Sequence, residues 1–139
     1  MAIETIITML AVMEAEIAGV VKAHDNVPAG VHEVPAFINY PKTGRLHFGG
    51  AGFAQSDHTI HCDLLYSKTI TAEADKKLRP FIKLFRDKLA SSIGLRGTAS
   101  TINDIRYQFP VLVVVGGETF LGIHFEVDVK ETETVTTGV

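Results

Sequence analysis

Residues 72–93 read AEADKKLRPFIKLFRDKLASSI, and this stretch decides the fold. Leu78, Phe81, Ile82, Phe85, Leu89 and Ile93 recur three or four residues apart, so they form one apolar stripe on a helix. Lys76, Lys77, Lys83, Arg86 and Lys88 fall largely off that stripe and make a cationic face. Pro80 lacks an amide proton and clashes with the preceding turn, which predicts a kink near Lys77 or a short helix joined to a longer one. Thr69 or Thr71 supplies an N-cap, Glu73 and Asp75 complement the helix dipole, and Gly94 or Gly97 ends the element. A stripe this wide needs a sheet to cover it.

The remaining chain has the pattern of that sheet. Ile3, Ile6, Ile7, Leu10, Met13 and Ile17 make a second helical stripe ending near Gly19. Val20–His24 reads as a short strand, and Val34–Tyr40 as a strand with apolar residues on both faces, its start marked by Pro35. Asp57–Tyr66 alternates cleanly: His58, Ile60, Cys62, Leu64 and Tyr66 point one way, and Thr59, His61, Asp63 and Leu65 the other. After the helix, Ile105, Tyr107 and Phe109 alternate with Asp104, Arg106 and Gln108. Pro110 interrupts, Val111–Val115 continues, and Gly116-Gly117 signals a hairpin. The return strand puts Leu121, Ile123, Phe125, Val127 and Val129 inward and Gly122, His124, Glu126 and Asp128 outward. The expected fold is α+β, a mostly antiparallel sheet with two helices packed on one face.

The 139 residues suit one domain, expected over 1–129. Residues 130–139, with four threonines and two glutamates, read as a C-terminal arm, flexible or ordered by a partner. Pro41–Ser56 reads as the least regular internal stretch, with Gly44, Gly49, Gly50 and Gly52 beside Arg45, His47, Phe48 and Phe53. Its aromatics either tuck back onto the domain or dock on a neighbouring molecule.

Composition limits the chemistry. A formal net charge of −3 gives no electrostatic footprint for nucleic acid or an anionic membrane surface. Met1–Val21 is apolar, but Glu4, Glu14 and Glu16 interrupt it and no basic segment precedes it. It therefore reads as neither signal peptide nor membrane anchor. Cys62 is the single cysteine, which excludes an internal disulfide, and it reads as a packed thiol. His58 and His61 fall on opposite strand faces, and His61 with Asp63 makes two ligands without a third, so no metal is expected. Gly49-Gly50-Ala51-Gly52 lacks the Lys-Ser/Thr of a phosphate loop. No nucleophile-base arrangement is legible. The expectation is a chain without catalytic residues, cofactor or enzymatic activity.

Several features together resemble the tail terminator (tail completion) proteins of long-tailed bacteriophages. They are the N-terminal Ile/Leu helix, the short strand with Val27-Pro28, the strand Val34-Pro35-Ala36-Phe37-Ile38 and the strand ending Cys62-Asp63-Leu64-Leu65-Tyr66. An Ala/Asp-containing helix and the closing segment Phe120–Val129 complete the order. The resemblance implies a structural virion protein that forms a ring, typically a homohexamer, on the head-proximal end of the tail tube. The ring ends tube polymerisation and offers the head-joining surface. It also implies assembly in the host cytoplasm, with further copies of the chain, the tail tube protein and a head-completion (connector) protein as partners. DNA would pass through the lumen without specific binding, and no membrane is involved. On that reading Arg45, His47, Phe48 and Phe53 would meet a neighbouring subunit or the tube, while Glu126 and Asp128 would face the lumen and repel phosphate. The alternatives are a head-completion or adaptor protein of the head-tail connector and a small cytoplasmic ligand-binding module.

Overall fold

A computed structural model describes the backbone of residues 2–48, 53–97 and 100–134, and side chains over 3–46, 55–96 and 100–131. The order is helix α1 (Ala2–Ala15), strands β1 (Lys22–His24), β2 (Ala36–Phe48) and β3 (Phe53–Ser67), helices α2 (Ala72–Leu78) and α3 (Pro80–Ala90), a 3-10 turn (Leu95–Gly97), and strands β4 (Ser100–Val115) and β5 (Glu118–Thr134). The strands form one five-stranded sheet in the order β1-β2-β3-β5-β4. Among the described residues only the β1–β2 pair is parallel, and the other three pairs are antiparallel. The protein is an α+β fold with its helices on one face of the sheet.

Pro80 divides the organising helix as its chemistry requires. Thr71 caps α2, its Oγ1 accepting from Ala74 N at 3.1 Å, and α3 starts with Pro80 as its first residue, where a missing N–H costs nothing. Leu78, Phe81, Phe85 and Leu89 are buried, whereas Ile93, past the end of α3, is exposed. Against them lie Ile6, Leu10 and Met13 of α1 and the inner-face residues Phe37, Ile60, Cys62, Leu64, Ile123, Phe125 and Val127. Phe85 sits between two rings, 4.0 Å from Phe125 and 5.6 Å from Phe37 by centroids. A smaller cluster of Val31, Ala36, Ile38, Leu65, Val115 and Phe120 covers one end of the opposite face. This double covering explains why the start of β2 is apolar on both sides.

Two expectations change. Within Pro41–Ser56, residues 41–48 and 53–56 are strand and not irregular, while Gly49, Gly50 and Gly52 lie outside the described residues. Thr43–Phe48 pairs with Ala54–Thr59 in register, with a bulge at Pro41/Thr43, so β2 and β3 form one long hairpin. Glycine weakens strands on average, but a ladder anchored by a packed hairpin base carries it. The segment 130–139 is not wholly an arm either. β5 runs to Thr134, with Lys130 opposite Asp57 and Glu131 opposite Ser56, and the residues beyond Thr134 lie outside those described.

The β4–β5 turn takes Gly116 and Gly117 through φ +60° and +79°, the conformation a two-residue hairpin needs. Gly122 answers a different demand: a Cβ there would stand 1.9 Å from the Leu64 carbonyl oxygen across the β3–β5 pair. β4 includes the cis Phe109–Pro110 bond and shifts register between Gln108 and Val111, yet it runs unbroken for 16 residues. Among the described residues no strand pairs with its outer edge. Tyr107, Leu112 and Val114 on β4 are 54%, 60% and 66% exposed. Among the described residues no helix is long and apolar enough to cross a membrane.

Candidate functional site

Strand alternation sends Ile60, Cys62 and Leu64 toward the helices and Thr59, His61 and Asp63 to the outer face. The same alternation on β5 puts His124, Glu126 and Asp128 outward. The β3–β5 register then places His61 opposite Glu126, Asp63 opposite His124 and Thr59 opposite Asp128. Directly opposed residues share a face at about 5 Å between Cβ atoms, so six polar side chains meet there. Tyr40 joins from β2, opposite His61, and Arg106 from β4, opposite Glu126.

The hydrogen bonds within this patch form one connected network. Tyr40 donates its hydroxyl proton to Asp63 Oδ2 at 2.9 Å, and His61 Nδ1 lies 3.0 Å from the same hydroxyl oxygen. His124 Nδ1 bonds Asp63 Oδ1, while its Nε2 stands 3.3 Å from Glu126 Oε1. The two imidazoles meet edge to face at 4.2 Å between centroids. His61 is 8% exposed, and its Nε2 is buried without a hydrogen-bond partner, 3.6 Å from Glu126 Oε1. Desolvation, reinforced by neighbouring His124, lowers the His61 pKa and favours the neutral ring. Desolvation and the charge of Asp63 raise the Tyr40 pKa, so its hydroxyl stays protonated.

Arg106 dominates the other end. It donates to Glu126 Oε2 at 3.0 Å and pairs with both oxygens of Asp128, and Lys42 reaches Glu126 Oε1 at 3.2 Å. These hydrogen bonds, with Arg106 the leading cause, hold the Glu126 carboxyl down to about 2 and keep Asp128 low as well. Glu126 and Asp128 are therefore paired carboxylates. Lys42 and Arg106 offset part of the negative charge, and Arg106 also reaches Asp104 Oδ2 at 3.4 Å.

A second buried polar group lies on the inner face. Glu14 of α1 is fully buried, and its Oε1 accepts from Asn39 Nδ2 at 2.6 Å, a nitrogen that also donates to the His24 carbonyl at 2.9 Å. Burial pushes the Glu14 carboxyl up to about 8, against the pull of the Asn39 hydrogen bond. Glu14, one of the acids that interrupt the apolar N-terminal stretch, is part of the core. Cys62, opposite Asn39, is buried, and desolvation raises its thiol well above the ordinary range, which leaves it unreactive.

Of the interface residues expected on the hairpin, Arg45 is exposed and lines a groove of about 460 Å³ with His58, Thr59 and Asn103. The side chains of His47, Phe48 and Phe53 lie outside those described, though all three positions are in the hairpin strands. His61 and Asp63 were legible as a two-residue group; what periodicity could not supply was the register that brings in His124 and Glu126. Compared with models of known protein families and with curated proteins, the chain matches none.

Proposed function

We propose that the chain is a ring-forming structural subunit of a long-tailed phage, capping the tail tube, ending its polymerisation and presenting the head-joining surface. The observation that carries this reading is β4. It offers 16 residues of backbone edge without a described strand partner and exposes Tyr107, Leu112 and Val114. Soluble monomers blunt such edges, because an open edge with apolar side chains pairs with other chains. A ring subunit needs one surface of this kind, and a different surface to receive it, for head-to-tail closure. The long β2–β3 hairpin, exposed along Pro41–Leu46, is a second surface that reaches toward a neighbour or the tube. Its partners on this reading are further copies of the chain, the tail tube and a head-side connector, with DNA passing through.

The test is native mass spectrometry of the purified chain, alone and with tail tubes, followed by negative-stain imaging. A closed ring, or a monomer that becomes one on tubes, supports the proposal. A monomer or dimer that ignores tubes refutes it; co-purification with heads instead would move the chain to the connector. Leu112→Lys with Val114→Lys puts two charges on the exposed edge and is expected to abolish ring closure while leaving the circular dichroism spectrum unchanged. Rings that form as before would remove β4 as the joint.

A further inference from the structure

We propose that His61, His124 and Glu126 form a binding site for a divalent transition metal ion of the zinc class, on the outer face of the sheet. One ligand atom from each of the three lies within 4.8 Å of the other two, a spread one ion can draw together with small side-chain rotations. Two imidazole nitrogens and a carboxylate oxygen suit zinc and its neighbours better than calcium or magnesium, which take oxygen sets. Three protein ligands leave a coordination position for water.

The proton inventory supports the assignment independently of the spacing. Tyr40 has one hydroxyl proton, and it goes to Asp63. His61 Nδ1 must then be the donor to the Tyr40 oxygen, which fixes its tautomer and leaves a lone pair on Nε2. His124 Nδ1 faces a carboxylate oxygen of Asp63 and donates to it, which leaves Nε2 as the ring nitrogen turned toward Glu126. Both Nε2 atoms point at Glu126 Oε1, at 3.6 and 3.3 Å. Three potential ligand atoms converge there, and the Lys42 ammonium at 3.2 Å from Oε1 is the cation that now faces them. His61 Nε2 is buried there without a hydrogen bond, a lone pair that a metal ion would satisfy.

The outer ring is what a metal site requires. Metal-bound histidines donate their second N–H to a carboxylate or other acceptor, which sets ring orientation and raises basicity. Asp63 does this directly for His124 and through Tyr40 for His61. Its own burial, at 3% exposed, holds both rings in place. Arg106 engages Glu126 Oε2 and so leaves Oε1 as the ligand oxygen. Lys42 touches that same Oε1 at 3.2 Å and is the group a metal would displace; as an exposed lysine on a flexible stem it can swing to solvent.

The experiment uses the full chain without a histidine tag, stripped with a chelator and dialysed. Zn²⁺ is titrated by calorimetry and Co²⁺ by visible absorption. One equivalent is expected, with Co²⁺ showing the intense d–d bands of a low-coordinate nitrogen-oxygen site. His124→Ala and Glu126→Gln are expected to abolish the bands. Asp63→Asn, which keeps the shape but loses the charge that orients both rings, should weaken Zn²⁺ binding roughly 10–100-fold. His24→Ala, on another strand, should change nothing. Should a histidine variant fail to fold by circular dichroism, Glu126→Gln decides, because it preserves side-chain size. Absence of stoichiometric binding, or binding retained by both His124→Ala and Glu126→Gln, overturns the site.

Discussion

Glu14→Gln is expected to make the protein more stable, and by an amount that grows with pH. In the unfolded chain this carboxyl titrates near 4.5, whereas in the folded protein burial holds it near 8. The group is raised in the folded state, so folding takes up a proton between those values. Its contribution to stability is fully present below pH 4.5, is lost as pH rises through 8, and is constant above. At pH 7 the unfolded carboxyl is ionised and folding must protonate it, at a cost of about 3 kcal/mol (about 1.4 kcal/mol per pH unit above 4.5). Above pH 8 the cost levels at about 5 kcal/mol. Glutamine is neutral throughout and keeps the oxygen that Asn39 Nδ2 bonds. Its extra amide protons add an offset that does not vary with pH. The assay is urea denaturation of both proteins at pH 5, 6, 7 and 8, followed by circular dichroism because the chain has no tryptophan. Titrating groups that do not interact with Glu14 cancel in the difference between the two proteins. A difference that stays flat from pH 5 to pH 8 would refute the buried, protonated carboxyl.

Three further outcomes follow from the packing. Gly122→Ala would drive a Cβ into the Leu64 carbonyl and force the β3–β5 pair apart, costing about 3 kcal/mol or more; loss of amide-exchange protection along β3 and β5 would show it. Phe85→Ala removes the ring between Phe37 and Phe125 and should cost about 3–5 kcal/mol by urea denaturation. Arg106→Ala breaks the exposed pairs with Glu126 and Asp128, yet should cost only about 1 kcal/mol or less in dilute buffer. That loss should shrink in high salt, as stability curves with and without added sodium chloride would reveal.

Where a single periodicity ran uninterrupted, the sequence alone was readable. The stripe Leu78–Leu89, the break at Pro80, the Gly116-Gly117 turn and the alternation of Leu121–Val129 each reflect a local rule that the packing obeys. The pairing of Thr43–Phe48 with Ala54–Thr59 was not readable, because cross-strand contacts outweigh the poor strand propensity of Gly44. The environment of Glu14 was not readable for a related reason: its partner Asn39 is contributed by a strand 25 residues on. The candidate site divides along the same line. Alternation places His61 and Asp63 on one face of their strand and His124 and Glu126 on one face of theirs. Only the register makes them a cluster, and a slip of two residues would set His61 against His124 or Asp128 instead.

The strand order carries a consequence for how the chain acquires its shape. β5 is fifth in sequence but lies inside the sheet, between β3 and β4. During synthesis β3 emerges some fifty residues before its partner, and β4 has no pairing until β5 follows it. For that interval Ile60, Cys62 and Leu64 line a half-built core with two strand borders open at once. Assembly is thus governed by one late, long-range insertion rather than by stepwise growth from one side. Such topologies fold slowly and present sticky intermediates at high concentration. A nascent chain stalled before residue 118 is the species most exposed to association with its own kind, and the one a holding chaperone would need to shield.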